Sequence, residues 1–188
     1  RSYRAAVRAI ESRYPDAKRA DERNKTALRI LELGAGNAWF SWRMAERGNL
    51  VLATDISIDE QDGLGALARY AWPSTGLHSR LTRARAEMEE LPLEDSQFDV
   101  VVANGSLHYA RSVTRAIEEA HRVLRAHGIF LVLDSPAYDD HETGRTMVRR
   151  REKDYLERLG VLPTEPTTGY LVLSEFRAQL ESAGFRVE

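Results

Sequence analysis

The sequence predicts an α/β fold: a three-layer, doubly wound, mostly parallel sheet. Two observations carry this. Apolar strand-like runs alternate with stretches of helical period through five strands, the order that right-handed βαβ crossovers require. The first run breaks into a glycine turn, Gly34-Ala35-Gly36, and the second ends in Asp55, nineteen residues after Gly36. A strand, a glycine turn, a helix and a second strand tipped by an acid make a nucleoside-binding unit. The glycines let backbone approach a ligand, and the acid can accept from both ribose hydroxyls.

Each element has its own signal. Tyr3, Val7, Ile10 and Tyr14 recur at helical spacing, and Pro15 stops that helix. Residues 16–26 are polar and read as a loop. The first strand spans 28–33, and a helix over 38–47 follows, with Gly48 at its C-cap. The second strand is 50–55. A helix over 59–70 is weakened by Gly63 and Gly65. Residues 71–80 connect to a weak strand at 81–86. The run 98–103 is nearly all apolar, as a strand buried on both faces should be. Val113, Ala116, Ile117, Ala120, Val123 and Leu124 form a helical stripe that His127-Gly128 ends, before a fifth strand at 129–133. Residues 135–170 are irregular and charged, with a helix at 147–159. A last helix covers 175–183, and 185–188 starts a sixth strand.

Ligands of such sheets bind at the carboxyl ends of the strands. Glu32, Asp55, Glu87, Asn104 and Asp134 all fall there, so the motif residues converge on one edge.

The bulk numbers bound the function. A chain of 188 residues suits one domain, and a net charge of −2 supplies no global basic field for nucleic acid. The absence of cysteine excludes disulfides, zinc–thiolate sites and thiol nucleophiles, and no metal site is expected. No apolar run approaches the ~20 residues of a membrane span. No signal peptide is visible, so the expected location is cytoplasmic. The chain starts at Arg1 without methionine and stops inside an expected strand, as a piece of a longer protein would.

With Glu32 in front, the turn reads E-x-G-x-G-x-A, ending in Ala38. A dinucleotide turn wants glycine where Trp39 stands, which argues against NAD or FAD. The pattern resembles motif I of the class I S-adenosylmethionine-dependent methyltransferases, and of the type-11-like members in particular. Four further landmarks carry the resemblance in order. They are Asp55; Glu87-Met88-Glu89-Glu90-Leu91-Pro92, similar to D-A-E-x-L-P; Asp95-x-x-Phe98-Asp99-Val100-Val101; and Asn104-Gly105-Ser106-Leu107-His108-Tyr109, where relatives often carry Leu-His-His. The likeness runs from Leu28 to Leu133, more loosely to Phe185.

The resemblance implies a Rossmann-like methyltransferase fold, and the sequence leaves no room for the family's last antiparallel strand, so the sheet is expected to lack it. It also implies S-adenosyl-L-methionine as cofactor, contacted by Glu32, Gly34, Gly36, Asp55, Glu87, Met88 and Asn104. The expected organisation is a single domain over 1–188. An N-terminal helix and loop (1–27) precede a cofactor-binding core (28–134), an insert or lid (135–173) and the last helix and strand (174–188).

Methyl transfer needs a nucleophile held in line with the methyl group in a dry site, with a base only where the nucleophile is protonated. His108, on the loop after the fourth strand, is the base candidate, since imidazole titrates near neutrality. Its bland alternative is to shape the pocket. Tyr109, Tyr138 and His141 are the candidate substrate contacts. Asp55 could instead cap the next turn, Glu32 could be a strand-end acid, and Glu87 stands in an already acidic stretch. Arg145, Arg149, Arg150, Arg151 and Lys153 are interleaved with Glu152, Asp154 and Glu157, which reads as a solvated helix face rather than an anion site.

The expected activity is methylation of a small molecule, with no nucleic-acid or membrane partner. RNA or protein methylation is one alternative, but no Asn-Pro-Pro-Tyr-like loop is present. A non-catalytic cofactor-binding partner module is another, with Tyr3, Val7 and Ile10 as a face that would suit a homodimer.

Overall fold

A computed structural model of the protein describes residues 2–15, 27–70, 79–160 and 167–188. The loop expected at 16–26 and most of the connection expected at 71–80 lie outside them. The described elements are α1 (Ser2–Arg13), β1 (Arg29–Leu33), α2 (Trp39–Glu46), β2 (Leu50–Asp55) and a 3-10 turn (Leu64–Arg69). Then come β3 (Leu81–Arg85), β4 (Phe98–Asn104), a 3-10 turn (Leu107–Tyr109), α3 (Val113–Val123) and β5 (Leu124–Leu133). The chain closes with β6 (Ala137–Tyr138), α4 (His141–Leu159), β7 (Leu171–Val172) and α5 (Leu173–Ser182).

The main sheet is parallel throughout, in the order β3-β2-β1-β4-β5. Strand order reverses between β1 and β4, so the ligand crevice belongs above their carboxyl ends. Alternation along the central strands divides the core in two. Ile30, Val100 and Val102 face a layer containing Phe40 and Met44 of α2 and Ala6 and Ile10 of α1. Leu31, Leu33, Val101 and Ala103 face Ala116, Ala120 and Val123 of α3, with Phe176 and Phe185 behind.

Several boundaries differ from the sequence reading, each for a physical reason of its own. The stripe of α3 stops at Val123 rather than at His127-Gly128. The incoming β4 chain takes the helix's last carbonyls, Ser96 N donating to Arg122 O and Gln97 N to Val123 O. Leu124 then pairs with Phe98, and the register shifts before Val100 meets Ile129, with His127 at φ 65 in the bulge. The expected helix at 59–70 shrinks to a 3-10 turn. A Cβ on Gly63 or Gly65 would lie within 2.7 Å of the backbone at Ser57, Ile58 or Asp59, so the chain folds back on itself there. Conversely α4 begins six residues early, at His141. The Asp140 side chain accepts from Thr143 N and caps it. Residues 185–188 form no strand, and Phe185 instead packs on His121 and Phe130. Within the stretch read as irregular, β6 forms and pairs in parallel with β7, just beyond it.

The face of α1 expected to be exposed is instead packed inside the fold. Ile10 is 4% exposed, Tyr3 meets Trp39 and Phe40 edge-on, and Tyr14 Oη donates to Asp99 O. At the other end Ser2 Oγ donates to Asp134 Oδ1, so α1 runs the length of the sheet. That face is therefore not available for a homodimer. Truncating its centre, Ile10→Ala, is expected to cost about 2–4 kcal/mol. Urea unfolding monitored by far-UV circular dichroism checks this, and an unchanged midpoint would show that α1 is not part of the cooperative unit.

Candidate active site

The glycine turn is shaped by what packs on it. Gly34 and Gly36 have φ of 63° and 52°, a backbone that L side chains rarely adopt. A Cβ at Gly34 would stand 2.5 Å from the Cβ of Ser106 and 3.3 Å from the terminal methyl of Met88. The loop after β4 thus seats directly on this glycine. Ser106, buried, fixes the contact by donating to Leu33 O. At Gly36 the nearest obstruction to a Cβ is Asp62 O at 3.5 Å, which leaves open space over the turn. Asp55 closes the unit. Its Oδ2 accepts from Gly36 N at 2.7 Å and its Oδ1 from Ser57 N at 2.8 Å. Trp39 starts α2, and its ring packs against Tyr3 rather than on the strand.

Glu32 is 1% exposed. Its Oε2 accepts from the backbone N–H and the hydroxyl of Ser41, in the first turn of α2. Burial pushes its pKa up to about 8, opposed by the two Ser41 bonds and assisted by the Asp55 charge. The acid thus ties β1 to α2 and holds a proton that an ordinary carboxyl would have released.

Glu87 and Met88 follow β3 on the same edge. Glu87 accepts from Arg111 Nη1 at 3.3 Å, and its side chain is half exposed. The segment that carries them is stapled to α3. Arg122 donates to Glu119, to Asp95 Oδ1 and to the carbonyls of Leu91 and Leu93, while Glu119 accepts from Leu91 N. Glu89 Oε1 accepts from the backbone N–H groups of Arg111 and Ser112 at the other end of that helix. Asn104 ends β4, and Gly105 N donates to Leu133 O beside it.

His108 is 4% exposed on the 3-10 turn, stacked on Tyr109 with ring centroids 4.0 Å apart. Its Nδ1 lies 3.3 Å from Ser135 Oγ, just past β5. Burial, and after it the charge of Arg151, push its pKa down to about 4. The ring is therefore neutral at pH 7 and weakly basic. As a base it suits only an acceptor that is itself acidic. Tyr109, 53% exposed, forms an outer wall.

The two expected substrate contacts in the insert belong to another cluster. Tyr138 meets Tyr170 edge-on; His141 Nδ1 is 3.1 Å from Tyr170 Oη, and its Nε2 is 2.8 Å from Glu175 Oε1. They tie β6, α4, β7 and α5 together. Glu32, Gly34, Gly36, Asp55, Met88, Asn104 and His108 converge at the strand ends, whereas Tyr138 and His141 contact Tyr170 and, for His141, Glu175 of α5.

Sequence reading missed Ser41, Ser106, Ser135 and the Arg122–Glu119 clamp. Of these, only the clamp had a visible signal, a Glu-Arg pair at i,i+3 on a predicted helix. Among the described residues no group of three His, Asp or Glu could hold a metal ion, and no helix is long and apolar enough to cross a membrane. A cavity of about 540 Å³ opens beside β3, lined by Ile58, Leu64, Arg69, Arg83 and Arg85 among others. None of the predicted site residues lines it.

Residues 31–132 match the methyltransferase domain family, and the chain belongs to that family. The cofactor of this class is S-adenosylmethionine. The chain is 29% identical over 161 residues to a malonyl-[acyl-carrier protein] O-methyltransferase of Geobacter sulfurreducens, covering 84% of this chain and 55% of that one. It is 34% identical over 165 residues to a 27-O-demethylrifamycin SV methyltransferase of Amycolatopsis mediterranei, covering 85% and 54%. It thus spans little more than half the length of these curated relatives. A solved S-adenosylmethionine-dependent methyltransferase from Mesorhizobium loti shares the fold, with a TM-score of 0.64 at 24% identity over 98% of this chain and 82% of the other.

Glu32 gives a testable pH dependence. Its folded pKa, about 8, lies above its ordinary 4.5, so the fold binds more protons than the unfolded chain between those values. Its contribution to stability is greatest at low pH and is lost as pH rises through that window. Thermal melts of the cofactor-free protein from pH 5 to pH 9 should therefore show Glu32→Gln gaining on wild type as pH rises. Parallel curves would mean that Glu32 is ionised in the fold.

Proposed function

We propose that this domain binds S-adenosylmethionine across the β1–β4 switch point and methylates a small-molecule acceptor held beside His108. The observation that carries the reading is the Gly34–Gly36 turn, closed by Asp55 and open above Gly36. The donor set fits the cofactor. Each Asp55 oxygen accepts one backbone N–H and keeps lone-pair capacity for a ribose hydroxyl. Glu32, buried behind the turn, is the counter-charge for an ammonium, which would draw off its proton. Met88 and Glu87 border the adenine end, and Asn104 ends the strand beside it.

When bound, the cofactor supplies a methyl group on a positively charged sulfur, whose departure needs no acid. The chain's own work is then to orient and to exclude water. Buried Ser106 and Leu107 fix the loop on which His108 and Tyr109 stand. Neutral His108, with Nδ1 on Ser135, offers its other ring nitrogen to the acceptor. The relatives named for malonyl-[acyl-carrier protein] and 27-O-demethylrifamycin SV support a small or carrier-borne acceptor rather than nucleic acid.

Calorimetric titration with S-adenosylmethionine and S-adenosylhomocysteine tests the reading. Wild type is expected to bind both in the micromolar range. Asp55→Ala should weaken binding at least tenfold while its circular dichroism stays native. No binding by folded wild type would overturn the proposal for this chain.

A further inference from the structure

α4 is polar and mostly exposed, with Gly144 as its one buried residue. Arg145, Arg149, Arg150 and Arg158 are exposed, as a solvated helix face requires. Arg151 departs from that pattern, being half-buried. Its guanidinium lies across the backbone of Gly169, where a Cβ would stand 2.5 Å from Nη2. Leu171 N donates to Pro136 O at 2.8 Å, which sets the segment that Arg151 crosses beside Ser135, itself 3.3 Å from His108 Nδ1; the Arg151 charge accordingly reaches that ring. Among the described residues the Arg151 side chain has no hydrogen bond and no ion pair, although this surface is rich in acids.

A partly desolvated guanidinium without an anion is costly. Its neighbour His108 is neutral, and Ser135 supplies a hydroxyl on the other side of that ring. The three groups together offer a cation, a neutral imidazole edge and no carboxylate. The planar fork of an arginine matches a carboxylate through two parallel hydrogen bonds.

From this placement we propose that Arg151 binds a carboxylate on the methyl acceptor, so that the acceptor class is carboxylate-bearing small molecules. The inference rests on the acceptor lying beside His108, as proposed above. It assigns to α4 the task of selecting the acceptor by charge, and Gly169 leaves room for the guanidinium.

The experiment uses the 188-residue chain saturated with S-adenosylhomocysteine, at ionic strength held constant with chloride. Acetate, benzoate and malonate are titrated beside acetamide, benzamide and malonamide. Calorimetry gives affinity, and the imidazole signals of His108 in ¹⁵N-labelled protein report occupancy of the site. At least one carboxylate is expected to bind about tenfold or more tightly than its amide and to shift the His108 signals. Arg151→Gln should erase that preference and Arg151→Lys should keep part of it, both with unchanged S-adenosylhomocysteine affinity. Equal affinity for carboxylates and amides in wild type overturns the inference, as does a preference that survives in Arg151→Gln. Either result with normal S-adenosylhomocysteine binding leaves the methyltransferase reading standing. Failure of folded wild type to bind S-adenosylhomocysteine overturns both.

Discussion

The hydrogen bond from Gly36 N to Asp55 Oδ2 joins the end of β2 to the turn after β1. Much else depends on it. It holds a backbone of positive φ in place and sets the space above Gly36. It also fixes the direction in which α2 leaves the strand. Glu32 then locks α2 from below through Ser41, and Ser106 seats the next loop on Gly34. Two acids with different surroundings thus take different parts. Asp55, partly open and bonded to two amides, faces the ligand side, whereas Glu32, buried behind the turn, holds its proton in the cofactor-free domain.

The core of this arrangement was legible because it is local. A glycine turn between two apolar runs has few backbone solutions, and Asp55 lies within one βαβ unit of it. Long apolar strands also announce themselves, as 98–103 did. The 3-10 turn at 64–69 and the early start of α4 turn on short-range crowding and capping, whereas the other failures come from contacts distant in sequence. The end of α3 is set by Ser96 and Gln97, which no periodicity within the helix reveals. The α1 face looked free because its partner surface is built from α2 and from strands farther along the chain. Ser135 and Arg151 gain meaning only when the insert folds beside His108, and charge patterning alone assigned Arg151 to solvent.

The segment after β3 shows how a weak strand is made useful. β3 is an edge strand with exposed arginines, and its sequence signal is poor. The residues that follow it are held chiefly by Arg122 and Glu119, which bind four positions of backbone and side chain between them. Met88 is thereby brought to Gly34 by a polar clamp on the far side of its own segment.

The pairing of β1 with β4 sets Ile30 opposite Val100, and Ser106 bonds Leu33 across 73 residues of sequence. The crevice therefore does not exist in a chain that has made only its first βαβ unit. It appears when that long loop closes, which is an entropically expensive and late event in assembly. A nucleoside that touches both halves gains nothing from the early, locally folded chain. It stabilises the closed domain as a whole, so saturation should slow global opening of the sheet while leaving the fraying of α4 untouched.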